Sequence, residues 1–478
     1  MNKKRIYLSG ITILTVLLTA CQMNPSKNMV VSKNDGSFDI SIVESASANH
    51  NANDMQSVSH TKIFSATDHS VNFEIDIDAI IAERNMPVVE VAPHYITESE
   101  AKNIATILLG DTIFYEKDTL LSRDEIQQCV SRWSRLTSVD AMRELFSTAD
   151  DITIAWHIDR IKANIKTYTM AFESAPEEDP HNPCDWTYKK DSYYSDPQHQ
   201  ENSADNDSIQ ATAHVDNIPY VFSVSTRNGN DYKLNSVFVY PREINMYDNA
   251  IYTARLCRTS KPTNEQIEDI RLMAESMLKQ MNIGQWDIDQ CYLETNSKNE
   301  HIVHINAVPV LNGVSALRLP QLDNLKSQET FASNYYLTNV SFNFSPNGDL
   351  LFFELQSPID ICSVINDNVS VLPFTDLMNR VEEVLSHSDI YAYDFNDIVD
   401  ICKSESIDLG CSVSVKHLDY NLIRVKKPNT DNNYYYVPGY LLSGNIEFYD
   451  KATGDVFCNR EDTILLAINA VDGSIINQ

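Results

Sequence analysis

Apolar and polar residues alternate along Val71–Asp78, where Phe73, Ile75 and Ile77 are separated by Glu74, Asp76 and Asp78. A period of two predicts a strand with one face buried. A second apolar stretch, Val88-Val89-Glu90-Val91, follows Pro87. The period then lengthens. Thr97-Glu98-Ser99-Glu100 reads as a capping box, with Ala101, Ile104, Ala105 and Leu108 at helical spacing and Gly110 as the stop. Ser122-Arg123-Asp124-Glu125 opens another helix, and Ser138-Val139-Asp140-Ala141 a third. Strands follow at Tyr220–Val224 and Ser236–Tyr240, separated by the turn Asn228-Gly229-Asn230.

The cycle repeats after Pro262. Thr263-Asn264-Glu265-Gln266 is again a cap, and Ile267, Ile270, Ala274, Met277 and Met281 share one helix face. Strands are predicted at Ile302–Val310, Leu337–Phe344 and Leu350–Leu355, with a hairpin turn at Pro346-Asn347-Gly348-Asp349. A third helix from Thr375 carries Leu377, Met378, Val381, Val384 and Leu385. The last strands are Tyr434–Val437, Leu441–Tyr449 and Thr463–Asn469. The expected class is α+β: helices packed on twisted antiparallel sheets, in a helix-plus-strands module that recurs.

The first 70 residues carry a different pattern. Lys3-Lys4-Arg5 precede an apolar run, Ile6–Ala20, that is too short for a stable span and ends in Leu18-Thr19-Ala20-Cys21. This resembles the signal of bacterial lipoproteins. The resemblance implies cleavage before Cys21, a lipid on its thiol, and a mature chain tethered at the extracytoplasmic face of the cell membrane. Residues 22–70 are rich in Ser, Asn and Asp, and Ser45–Asp54 has too little apolar surface to offset ordering. The expected organisation is a signal peptide at 1–20, a flexible stalk at 21–70, and α+β domains at 71–258 and 259–478.

Composition narrows the function. Net charge is −30, with 67 acids against 37 bases, which argues against nucleic acid as a partner. Only 12 glycines occur in 478 residues, few for a nucleotide-binding chain. Eight cysteines remain after Cys21, widely spaced and without a Cys-x-x-Cys; an extracytoplasmic setting permits one or two bridges, with Cys402 and Cys411 the nearest pair.

No constellation carries chemistry. Glu74, Asp76 and Asp78 share a strand face, but alternate strand residues stand about 7 Å apart, too far for one ion. Asp205, Asn206 and Asp207 lack the glycine and distal glutamate of a calcium loop. His301 and His304 are three apart in a strand, so their rings point to opposite faces. His181 and Cys184 lack a second ligand pair, and His157 stands alone. No Gly-x-Ser-x-Gly elbow, Ser-x-x-Lys set or protease cysteine is present. No catalytic, metal or cofactor residue is assigned. Tyr434-Tyr435-Tyr436, Tyr193-Tyr194 and Tyr335-Tyr336 suit recognition surfaces, although alternation in a strand turns one of each pair inward.

The C-terminal segment, with Tyr435-Tyr436-Val437-Pro438, the Gly444 turn and Ile468–Ile476, is similar to the ends of anchored proteins of low-GC Gram-positive bacteria that carry PepSY-like or YycH/YycI-like modules. The whole chain resembles a clostridial lipoprotein family of unknown function. The resemblance implies a helix on a twisted antiparallel sheet and a surface location, and it brings no catalytic residues. The expected role is binding or regulation of a protein or peptide partner at sheet edges or tyrosine-rich strands. The alternatives are a solute-binding lipoprotein of a transporter, or a surface hydrolase whose site would be a cleft of carboxylates with shifted pKa.

Overall fold

The computed structural model describes residues 38–46, 54–83, 85–116, 122–146, 150–177, 182–190, 205–216, 218–228, 233–242, 252–253, 255–296, 298–318, 338–388, 390, 398–404, 407–428, 430 and 433–477. The signal peptide, Cys21, His181 and the pairs Tyr193-Tyr194 and Tyr335-Tyr336 lie outside them. In chain order the elements are β1 (Asp54–Ser65), β2 (Val71–Glu83), β3 (Val88–Pro93), α1 (Glu98–Leu109), β4 (Tyr115–Glu116), α2 (Arg123–Ser134), α3 (Val139–Leu145), α4 (Asp151–Ala171), β5 (Lys189–Lys190), β6 (Asp205–Val215), β7 (Ile218–Asn228) and β8 (Lys233–Pro241). Then come α5 (Asn264–Met281), β9 (Trp286–Thr295), β10 (His301–Leu311), β11 (Val314–Ser315), β12 (Asn339–Phe344), β13 (Leu350–Gln356), β14 (Ile359–Asn366), α6 (Phe374–Ser386), α7 (Ile398–Ser404), β15 (Leu409–Lys426), β16 (Tyr434–Asp450), β17 (Val456–Asn469) and β18 (Ile475–Asn477). The fold is α+β.

A helix followed by an antiparallel meander occurs three times: α1 with β6–β8, α5 with β9, β10, β12 and β13, and α6 with β15–β17. Local chemistry starts the first two helices in the same way. Thr97 accepts from the Glu100 amide while Glu100 accepts from the Thr97 N–H, and Thr263 and Gln266 repeat the exchange. The helix beginning at Phe374 has Pro373 at its cap and no side-chain bond there. Its Leu377, Met378, Val381, Val384 and Leu385 are all buried.

The first two units fuse. Their last strands, β8 and β13, pair edge to edge, giving one ten-stranded sheet with α1 and α5 packed together on its core. The third unit builds the other sheet with the N-terminal strands: β2 runs parallel to β15, and β3 pairs with both β14 and β16. Two sequence expectations are therefore revised. A cut at 258/259 parts strands that hydrogen-bond, because residues 71–93 complete the sheet of residues 409–477. The stalk expected up to residue 70 is a strand from Asp54, paired with β2 from Asp54↔Glu83 to Ser65↔Asn72. Phe38 is buried too, in a core with Val437 and Ile423.

β16 joins these parts. One edge pairs with β15 throughout; the other pairs with β3 at Tyr434–Tyr436 and with β17 from Gly439 onward. Pro438 sits at the changeover, so the missing N–H breaks no ladder. Sequence reading splits this strand at Pro438-Gly439, whereas it runs through unbroken for 17 residues.

Helices α2, α3 and α4 form an insert with a core of its own, centred on Trp133, Met142, Ile154, Ile158 and Ile161. His157 is packed there, its ring stacked 4.3 Å from Phe146. Sequence reading names no element over α4, because Ile152, Trp156 and Met170 put apolar residues on its solvent side and blur the helical period. None of the eight described cysteines forms a disulfide. Burial pushes the Cys257 and Cys411 thiols up to about 12, so both behave as small hydrophobes. Among the described residues, no helix is long and apolar enough to cross a membrane.

Gly444 marks where β16 tolerates no side chain. A Cβ there would lie 1.8 Å from the Ser414 carbonyl oxygen, opposite the bulge at Val415/His417. Gly444→Ala should part β15 from β16 and lower stability by about 3 kcal/mol or more, read by chemical denaturation.

Candidate functional site

The two sheets meet where consecutive strands change allegiance. β13 belongs to the ten-stranded sheet and β14 to the other, with only Ser357-Pro358 between them. Ser357 makes this corner with φ of 44°. Its N–H donates to the Asn235 carbonyl at 2.7 Å, and its own carbonyl accepts from the Thr338 hydroxyl at 2.7 Å. His94, just after β3, closes the corner from the other side. Its N–H donates to the Pro358 carbonyl at 2.7 Å, and its carbonyl accepts from Asn235 Nδ2 at 2.9 Å.

The His94 ring then bridges three elements. Nδ1 lies 2.9 Å from Asp360 Oδ1 on β14, and Nε2 lies 3.2 Å from Glu100 Oε1 on α1, off the hydrogen-bond line. Burial works to raise the Glu100 carboxyl. The Thr97 amide and hydroxyl and the nearby His94 outweigh it, so the carboxyl titrates below its ordinary value.

Beside this bridge a groove of about 470 Å³ opens between the sheets. One wall is the turn from α5 to β9, Ile283 to Trp286; the second is the β10–β11 hairpin, Pro309 to Gly313; the third is Ile359, Asp360 and Ile361. The hairpin turns on Asn312 and Gly313, both at positive φ. Trp286 is fixed by its Nε1–H, which donates to the Ile283 carbonyl at 2.6 Å. Asp360 is the one charged side chain in the lining.

β14 continues from the groove into solvent. Among the described strands it pairs with β3 alone. Ile361 is 48%, Val364 43% and Ile365 37% exposed. Bulges at Ile361/Ser363 and Val364/Asn366 let it present apolar side chains on both faces. Sequence reading missed this strand, although Ile359-Asp360-Ile361-Cys362-Ser363-Val364-Ile365 after Pro358 carries the β-branched signature.

A second constellation lies where β9 approaches β15. Burial raises the Asp289 carboxyl, with Arg318 opposing and Asp419 and Asp287 reinforcing. Burial also raises Asp419, with His417 opposing. Arg318 donates to Gln290 at 2.5 Å. Two carboxylates and an arginine from distant segments are thus brought within electrostatic reach, though both carboxylates remain open to solvent.

The residues weighed from sequence do not assemble. His301 is buried against Thr295 Oγ1 at 2.9 Å, while His304 faces the other side, bonded to Asn343 Oδ1 at 2.8 Å. Glu74, Asp76 and Asp78 lie exposed along β2. Tyr434, Tyr435 and Tyr436 are all buried, so they offer no contact surface. The described residues hold no cluster of three or more His, Cys, Asp or Glu arranged for a metal.

No family model matches the chain, and no curated protein matches it. Two solved structures are similar in part. An uncharacterized protein from Eubacterium rectale aligns at TM-score 0.35 and 10% identity, over 88% of this chain and 93% of its own. The YpeB C-terminal domain of Bacillus megaterium aligns at TM-score 0.25 and 11% identity, over 58% of this chain and 88% of its own.

The carrier of β14 is itself pinned by charge. Glu90 on β3 accepts from Lys427 Nζ at 2.6 Å and Asn433 Nδ2 at 3.1 Å. The Lys427 bond holds the Glu90 carboxyl below its ordinary 4.5, against burial, which raises it. A carboxyl depressed in the fold contributes stability above its unfolded value, lost as pH falls through the folded one. Glu90→Gln should cost about 1 kcal/mol at neutral pH. Its denaturation curve should converge with that of the unaltered protein as pH drops below 4.5.

Proposed function

We propose that this chain is a binding protein that takes an extended peptide or protein segment along β14. The observation that carries the reading is an apolar strand, exposed on both faces and paired on one side only, beside a groove. Strand addition would satisfy the outer backbone groups of β14, and the groove would seat one anchor side chain at its Ile359 end. The aliphatic lining suits an apolar anchor, and Asp360 at the rim suits a basic residue next to it. The His94 bridge and the Ser357 corner hold the groove and strand in fixed relation, which lowers the ordering cost of binding.

Location rests on the sequence. The run ending in Leu18-Thr19-Ala20-Cys21 supports a lipid on Cys21 and a place on the extracytoplasmic face of the membrane. The third helix-and-meander unit supports a PepSY-like reading of the C-terminal half. The charge of −30 supports protein or peptide over nucleic acid.

One observation favours an enzyme instead: Asp289 and Asp419 are both raised, with Asp419 reinforcing Asp289 and only Asp289 opposed by Arg318, an inequality from which acid and base roles could arise. On that reading Asp289→Asn would abolish turnover of a substrate found by screening and leave peptide capture intact.

The main reading is tested by panning a displayed peptide library on the full chain and measuring affinity by fluorescence anisotropy. Ile361→Asp should weaken a selected peptide at least tenfold, about 1.4 kcal/mol. Near-UV circular dichroism should not change, because Ile361 is exposed. A library that yields no peptide sensitive to Ile361 would overturn the proposal.

A further inference from the structure

The insert α2–α4 takes no part in the site above, and its longest helix has two apolar sides. Ile154, His157, Ile158 and Ile161 face the insert's own core. On the opposite side, Ile152, Trp156, Ala163 and Met170 lie within about 40° of one another around the axis. Ile152 is 82%, Trp156 50% and Met170 72% exposed, and Ala163 is exposed as well. An outward ridge of this kind on a soluble helix marks an interaction surface.

The charges within the ridge identify what covers it. Asp159 and Lys166 stand on the same outer face, on either side of Ala163. Seven residues, about 10.5 Å, separate them along the axis, too far to pair with each other. Neither makes an ion pair among the described residues. In an antiparallel copy of the helix crossing at Ala163, the positions match. Asp159 lies about 6 Å from the crossing point and the facing Lys166 about 4.5 Å, on the same side. Trp156 and the facing Met170 both lie about 10.5 Å from it. Alanine at the centre lets the backbones approach. A membrane surface would meet Arg160, Lys162 and Lys166 as well as Asp159. The facing Asp159 and Lys166 of a second copy, not net charge, therefore favour the copy, and the test below separates the two.

We propose that the solvent face of α4 is an isologous interface, occupied by a second copy of this chain in antiparallel register about Ala163. The same patch serves both partners, as two-fold symmetry requires. The Arg160 guanidinium, 5.0 Å over the Trp156 ring, flanks the contact and keeps the ring in place.

The test is sedimentation equilibrium of the full chain in mild detergent. The unaltered protein should dimerise. Asp159→Lys and Lys166→Asp should each weaken the dimer at least tenfold, by setting like charges face to face. The double variant carrying both changes should regain most of that loss, which no general damage to the helix could do. Circular dichroism checks that each variant folds. A monomer at tens of micromolar, or a double variant as weak as the singles, overturns the proposal. So does a monomer that floats with phosphatidylglycerol vesicles in a Trp156-dependent manner, which would assign the ridge to a membrane.

Discussion

Strand β16 must satisfy two edges and two faces at once, and the rest of the molecule is arranged around that demand. Its first half is buried on both sides. Tyr434 and Tyr436 enter a core with Val89, Val91 and Leu422, while Tyr435 and Val437 enter another with Phe38, Val88 and Ile423. Both faces are largely closed to solvent, so the backbone groups must find strands. β15 supplies one edge in full; no single strand supplies the other. β3 covers the first three residues and β17 the later ones, with Pro438 at the seam. Tyrosine suits such a strand because it fills volume and keeps a hydroxyl for a partner. The Arg424 guanidinium, 4.4 Å over the Tyr434 ring and itself buried, belongs to the same packing. β3 is therefore fixed by β16, and β14 by β3. The groove, though lined by neither tyrosine nor β16, stands where it does because of this chain of pairings.

Much of this architecture is legible residue by residue. Thr97, Ser122, Ser138 and Thr263 each cap the helix that the sequence assigns to them. Capping is local chemistry, so it survives translation into structure. The apolar stripe from Leu377 to Leu385 is legible for the same reason: one helix face meets one core. Legibility fails where an element serves two environments. β1 is polar at eight of its twelve residues, because an edge strand packs little, and it reads as stalk. α4 is apolar on both sides and loses its period. β16 carries Pro438 and Gly439 in its interior, which elsewhere would end a strand; here Gly439 leaves room for the Ile423 side chain, whose Cγ2 would stand 2.3 Å from an added Cβ.

The candidate site is less legible than the fold, and for a different reason. Its walls come from residues 283–286, 309–313 and 359–361, three turns or strand ends with no common motif. Nothing in the spacing of His94, Glu100 and Asp360 announces that one ring will touch both carboxylates. The contact exists because β3 pairs with β14, and that pairing spans more than 250 residues of chain. Asp289 and Asp419 are separated in the same way. Sequence supplies only the expectation of binding at a sheet edge; which edge stands apolar and unpaired follows from tertiary pairing.

An apolar edge strand is a hazard as well as a binding surface, since any flat strand could add to it. β14 limits that hazard through its shape. Two bulges within eight residues break the even spacing of its backbone groups, so a straight edge from another sheet would match it over only a short length. A flexible segment can follow the bulges, at the cost of its own ordering. On the proposed reading, the groove at one end would offset part of that cost by burying an anchor, with Asp360 as a polar limit. On that reading, the irregularity that makes the strand hard to recognise in sequence would also separate a chosen partner from indiscriminate pairing.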